Sequence, residues 1–72
     1  MKLSYYPDTD SLYIDLSENS SVESREISEG VVLDYDEAGD VVGIDIDNAS
    51  RKVALQELTL NKLPFVVQTI TA

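Results

Sequence analysis

Hydrophobic and polar positions alternate with a period of two along much of the chain. That period predicts strands, because successive side chains of an extended backbone leave it on opposite sides. The clearest run is Gly30 to Ile46. Val31, Leu33 and Tyr35 alternate with Val32, Asp34 and Asp36; after a turn, Val42, Ile44 and Ile46 alternate with Val41, Gly43 and Asp45. The turn Asp36-Glu37-Ala38-Gly39 suits a four-residue loop built on a type I turn, with the Asp36 carboxylate as its cap and Gly39 at positive φ. This loop sets Tyr35 opposite Asp40, Leu33 opposite Val42 and Val31 opposite Ile44, and gathers the large aliphatics on one face. Val32, Asp34, Val41, Gly43 and Asp45 fall on the other face. Val32 and Val41 make that face less polar than a fully wet one; they read either as ordinary β-branched strand residues or as a surface where another chain or the C-terminal segment lies down.

The same reading places strands at Lys2 to Tyr6 and Leu12 to Leu16, joined into a hairpin by the turn Pro7-Asp8-Thr9-Asp10. Ser17 to Ser21 is polar, has no apolar anchor and is expected to be mobile. Val22 to Ile27 is a weaker, charged strand suited to a sheet edge. From Asp47 the period changes. Asn48 or Ser50 suits an N-cap, and Ala49 to Leu58 is helix-compatible, with Ala54 and Leu58 as the centre of an apolar stripe that could cover the sheet. Pro64 ends any helix, and Phe65 to Ile70 is a short, β-branched, apolar strand candidate. Such a segment closes its own sheet or pairs with a neighbour, as in a dimer with a swapped strand. The expected fold is therefore α+β: an antiparallel, meander-like sheet of four to five strands with one C-terminal helix and an extra C-terminal strand. One domain spans residues 1–72, with its core at about 1–58 and a tail at 59–72.

Several blocks in order resemble a known family: Met1 to Tyr6, then Pro7-Asp8-Thr9-Asp10-Ser11-Leu12-Tyr13-Ile14, Ser24-Arg25-Glu26-Ile27, Gly30 to Ile46, and Ala49-Ser50. Over about residues 1–55 the chain is similar to the domain-of-unknown-function family 2283, a group of small, mostly bacterial proteins. The resemblance implies a small α+β domain. It carries no activity and no catalytic residues. Because the genes of such proteins often sit beside those of small, basic, toxin-like proteins, it also implies an antitoxin-like role as the acidic partner of one. From about Thr59 onward the chain departs from the family's usual ending.

Composition narrows the function. Fourteen acidic residues against five basic ones give a formal net charge of −9. That opposes binding to nucleic acid and to anionic membranes, and favours encounter with basic proteins. With no cysteine there is no disulfide staple, so a second copy of the chain is a natural source of buried area and a homodimer is expected. Met1 to Tyr6 lacks the apolar run of a signal peptide and no stretch approaches about 20 apolar residues, so the expected location is cytoplasmic.

The candidate sites are few. Asp34, Asp36 and Gly39 match part of the calcium-loop pattern D-x-[DN]-x-[DN]-G-x5-E. Ala38 stands where an oxygen ligand is needed, Asp45 replaces the bidentate Glu, and Val42 supplies no ligand. In the expected register Asp45 also lies roughly 13 Å from the residue opposite Asp34. Asp34, Asp36 and Asp40 thus remain weak metal candidates, and their turn the basis of an alternative reading as a metal- or small-molecule-binding regulator. Without histidine or cysteine, and with carboxylate pairs such as Asp8/Asp10 and Asp45/Asp47 in turns or strand ends, no enzyme and no cofactor are expected. Tyr5, Tyr6, Tyr13 and Tyr35 read as packing residues, because a stacking platform for single strands needs a basic groove. The interface candidates are Val32, Val41, Phe65, Val67 and Ile70, for a protein partner and a homodimer.

Overall fold

The alternating segments form five strands: β1 (Lys2–Tyr6), β2 (Ser11–Asp15), β3 (Glu23–Ser28), β4 (Val31–Tyr35) and β5 (Val41–Ile46). They build one antiparallel sheet in the order β1-β2-β5-β4-β3. The structure is a computed structural model and describes residues 1–61. The expected C-terminal strand, with Phe65, Val67 and Ile70, lies outside the described residues. β3, β4 and β5 form a meander, and the β1–β2 hairpin joins it through β5, so the architecture is α+β and meander-like.

The β4–β5 register differs from expectation by two residues. Asp36 N donates to Asp40 O (2.9 Å) and Gly39 N donates to Asp36 O (3.0 Å). Gly39 sits at φ 88°. This is a three-residue loop in which a type I turn is followed by a left-handed glycine. Continued without interruption, that pairing would set Asp34 against Val42 and turn the aliphatics out of phase. A one-residue irregularity between Asp34 and Tyr35 restores the phase: Leu33 pairs with Ile44, and Val31 with Ile46. A shift of two keeps every side chain on its expected face, whereas a shift of one would not. The exception is Val41, which pairs with Tyr35 on the near side of the bulge. Val32 pairs with Asp45 instead, so the two valines do not form the joint patch expected of them.

The link from β2 to β3 is also different from expectation. It runs across the ends of β5 and β4, and three bonds fasten it there. Leu16 N donates to Val42 O (2.8 Å), the Asn19 side-chain amide to Asp36 Oδ2 (3.1 Å), and Val22 N to Tyr35 O (2.8 Å). The segment has no apolar anchor, yet polar bonds hold it.

The helix is far shorter than its apolar stripe suggests. α1 spans Ala49–Lys52 and ends where Val53 becomes extended (φ −131°). Arg51 and Lys52 fall in its last turn, where positive charge suits the helix dipole, but so short a helix depends on tertiary contacts rather than propensity. Those contacts end early, since Ala54 and Leu58 are exposed. Asn48 occupies the N-cap position in the left-handed region and its side chain caps nothing. The cap comes from Asp10 instead, across forty positions of sequence. Asp10 O accepts from Ala49 N (2.8 Å) and Asp10 Oδ1 from Ser50 N (3.1 Å). At the other end, Lys52 Nζ donates to Glu29 O (2.9 Å).

Leu12, Val42 and Ala49 are the buried apolar residues among those described. Around them Leu3, Ile14, Val31, Leu33, Ile44 and Ile46 are half-buried on one face of the sheet.

Candidate functional site

The opposite face carries a polar chain that crosses four strands. Tyr13 on β2 and Asp45 on β5 are paired, as are Asp15 and Gly43. The Tyr13 side chain leans over Gly43 and donates to Asp34 Oδ2 on β4 (2.7 Å), while Ser24 on β3 donates to Asp34 Oδ1 (2.6 Å). A Cβ added at Gly43 would come within 2.6 Å of Tyr13 Cζ. Glycine in mid-strand therefore marks the close approach of a ring. The bond to Asp34 is the main cause that pushes the Tyr13 phenol from the usual 10.0 up to about 12.

Two further carboxylates act as hubs for donors. Asp36 is buried. Its Oδ1 accepts from Ala38 N (3.0 Å) and Asp40 N (2.9 Å), and its Oδ2 from Asn19. The Asp40 amide, then the Asn19 side chain, hold this carboxyl below its usual range. Asp10, besides capping α1, accepts from the Tyr5 hydroxyl (2.7 Å) and the Ser50 hydroxyl (2.7 Å). The Ser50 hydroxyl, then Tyr5, lower its pKa, and the same bond raises that of Tyr5. Asp45 goes the other way. Desolvation raises its pKa first, and the charges of Asp47 and Asp34 add to the effect.

These shifts predict a stability profile with two flanks and a gain between them. Asp10 and Asp36, depressed in the fold, stabilise it above the usual 3.8 and lose that contribution as pH falls through their folded values. Asp45, raised in the fold, disfavours it when ionised, so protonating it adds stability. Tyr13 contributes below pH 10.0 and loses that as pH rises toward about 12. The thermal midpoint followed by circular dichroism should rise as pH falls from 7 toward 3.8 and then fall on further acidification. At the alkaline end it should fall as pH passes from 10.0 toward about 12, where Tyr13 loses its contribution. A steady decline as pH falls from 7 toward 3.8 would contradict the role given to Asp45.

The weak metal candidates do not converge on a site. Both oxygens of Asp34 accept hydroxyl bonds on the polar face, both oxygens of Asp36 accept N–H bonds in the turn, and Asp40 is exposed. The register corrects one distance. Asp45 lies two residues, not four, from Gly43, the partner of Asp34, close enough for their charges to interact. No cluster of three or more acidic residues with metal-ligand geometry occurs among the described residues. The tyrosines do not share one surface. Tyr5 and Tyr35 belong to the apolar face, Tyr35 beneath the Arg25 guanidinium at 5.3 Å, and Tyr13 belongs to the polar face. Sequence reasoning missed Tyr13, Asp34 and Ser24 as a unit, and Asp10 as a cap. The signal for the first was a bare glycine in a β-branched strand with a tyrosine on the neighbouring strand.

The sequence model of the family described as "Protein of unknown function (DUF2283)" matches residues 2–50. The chain belongs to that family. The DUF2283 match takes in all five strands and the start of α1, so it covers Asp10, Tyr13, Asp34, Asp36 and Gly43. No curated protein and no solved structure matches the chain. No helix among the described residues is long and apolar enough to cross a membrane.

Proposed function

We propose that this chain is a non-enzymatic protein-binding module, homodimeric and cytoplasmic, whose acidic surface receives a small basic, toxin-like protein as an antitoxin does. The observation that supports it most is where the charge lies. Of the charged residues described, Asp36 alone is buried, and it is held by amide donors. The rest of the acidic excess, within a net charge of −9, faces outward or lies half-exposed on a thin sheet. Such a surface raises the rate at which basic partners arrive and holds them by screened Coulomb attraction. The carboxylates that do cluster serve hydroxyl and amide donors rather than a cleft, which supports a binding role over an enzymatic one.

The reading is tested with a basic probe, poly-lysine, by titration calorimetry at two ionic strengths. The Debye length falls from about 30 Å at 0.01 M to about 8 Å at 0.15 M, so affinity should drop by at least about tenfold between them. Binding that does not respond to salt would overturn the charge-based reading.

A further inference from the structure

We infer that one end of the sheet is the docking surface itself, and that it takes an amphipathic cationic segment of a protein partner. The inference rests on the reading of the chain as an acidic binding module and names where that binding occurs. β1 starts at this end, β2 and β4 finish there, and β3 and β5 start there. The pairing of Lys2 with Asp15 sets Met1 beside Leu16. Leu16 N bonds Val42 O, which places Leu16 at the start of β5 and next to Val41. Val41 pairs with Tyr35, and Tyr35 O accepts from Val22 N. The crossing link thus threads an apolar row from one edge of the sheet to the other: Met1, Leu16, Val41 and Val22. Their exposures are 74%, 38%, 36% and 66%.

Exposed apolar groups aligned along one end of a sheet, here with the half-buried Tyr35 between Val41 and Val22, and bordered by a polar rim, are the usual mark of a protein contact. Here the rim is acidic. Two shallow depressions flank the row, one lined by Asp15, Glu18 and Lys2 beside Met1, the other by Glu37 beside Val22, so its exposed carboxylates, Asp40 included, outnumber the one lysine. Asp40 closes the row next to Val41. Five strands at about 4.8 Å spacing make the row about 19 Å across, the length of three to four helical turns. An amphipathic helix would lay apolar residues at i, i+3, i+4 and i+7 along it and reach the flanking carboxylates with Lys or Arg. The other exposed apolar groups on the strands do not form such a row. Tyr5 and Tyr6 lie toward the far end of β1 and Ile27 toward the far end of β3, with β2, β5 and β4 between them, and Leu58 lies in the segment after α1.

The test uses the full chain and two synthetic peptides of identical Leu/Lys composition, one with its leucines on a single helical face and one scrambled. Val41→Lys and Ile27→Lys each add one positive charge at an exposed site, the first in the row and the second at the opposite end of the sheet; circular dichroism verifies that both remain folded. The amphipathic peptide should bind the native chain at least about tenfold tighter than the scrambled one. Val41→Lys should weaken that binding about tenfold, and Ile27→Lys less than about twofold. Equal loss in the two variants, or equal affinity for the two peptides, would show diffuse charge attraction and overturn the docking row while leaving the acidic-module reading intact. Failure of both peptides to bind at low salt would overturn the two together.

Discussion

Gly43→Ala is expected to destabilise the fold by about 2 kcal/mol, although alanine is ordinarily the better strand residue by roughly 0.5–1 kcal/mol. The reason is the ring above it. The new Cβ would fall within 2.6 Å of Tyr13 Cζ and 3.3 Å of Asp34 Oδ2. The Tyr13 hydroxyl is nearer still, and because hydroxyl and ring move as one rigid group the whole ring must leave its place. Overpacking of this kind costs about 1–3 kcal/mol, and loss of the Tyr13–Asp34 bond adds about 1. Together these outweigh the gain in backbone entropy. Urea denaturation of Gly43→Ala, Tyr13→Ala and the double variant separates the causes. In the Tyr13→Ala background the alanine should become neutral or favourable. A penalty of the same size in both backgrounds would show that the ring is not the cause.

Asp36→Ala should lower the thermal midpoint by about 10 °C. The substitution strips one buried carboxylate of its bonds to Ala38 N, Asp40 N and the Asn19 side chain. The first two close the β4–β5 loop. The third fastens the link from β2 to β3, so both connections at that end of the sheet loosen. Asp36→Asn keeps an acceptor oxygen and should lose less. Amide exchange should quicken at Ala38 and Asp40 in the alanine variant. A midpoint shift below about 2 °C would show that backbone geometry alone holds the turn.

The strands were legible because the buried face imposes its period on the sequence. β1 and β4 match the alternation residue for residue, whereas β2 starts and ends one residue earlier than expected and β3 one residue later. The β4–β5 register was not legible. A three-residue loop and a four-residue loop both place Gly39 in a suitable position, and only the compensating bulge at Val42 distinguishes them. α1 was overextended for a different reason. The Ala54 and Leu58 stripe has helical spacing, but spacing predicts a helix only where a surface receives it, and both residues are exposed. The cap by Asp10 was hidden by distance, because local capping rules look at Asn48 and Ser50. The calcium-like spacing in Asp34 to Gly39 is divided by the fold. The strand puts Asp34 on the polar face while the turn directs Asp36 inward to the amides.

The strand order has a consequence for how the chain reaches this structure. Three of the four pairings join strands adjacent in sequence: β1 with β2, β3 with β4, and β4 with β5. These are local hairpins, whose closure costs little chain entropy. The fourth, β2 with β5, encloses everything from residue 16 to residue 40. Loop closure at that seam carries the largest entropic cost of the set, and contacts of long sequence separation set the pace of small two-state folders. The seam, where the β1–β2 hairpin meets the β3–β4–β5 meander, is therefore expected to set the folding rate. The Tyr13 ring, which spans β2, β5 and β4, stands at that junction and fastens it after the meeting.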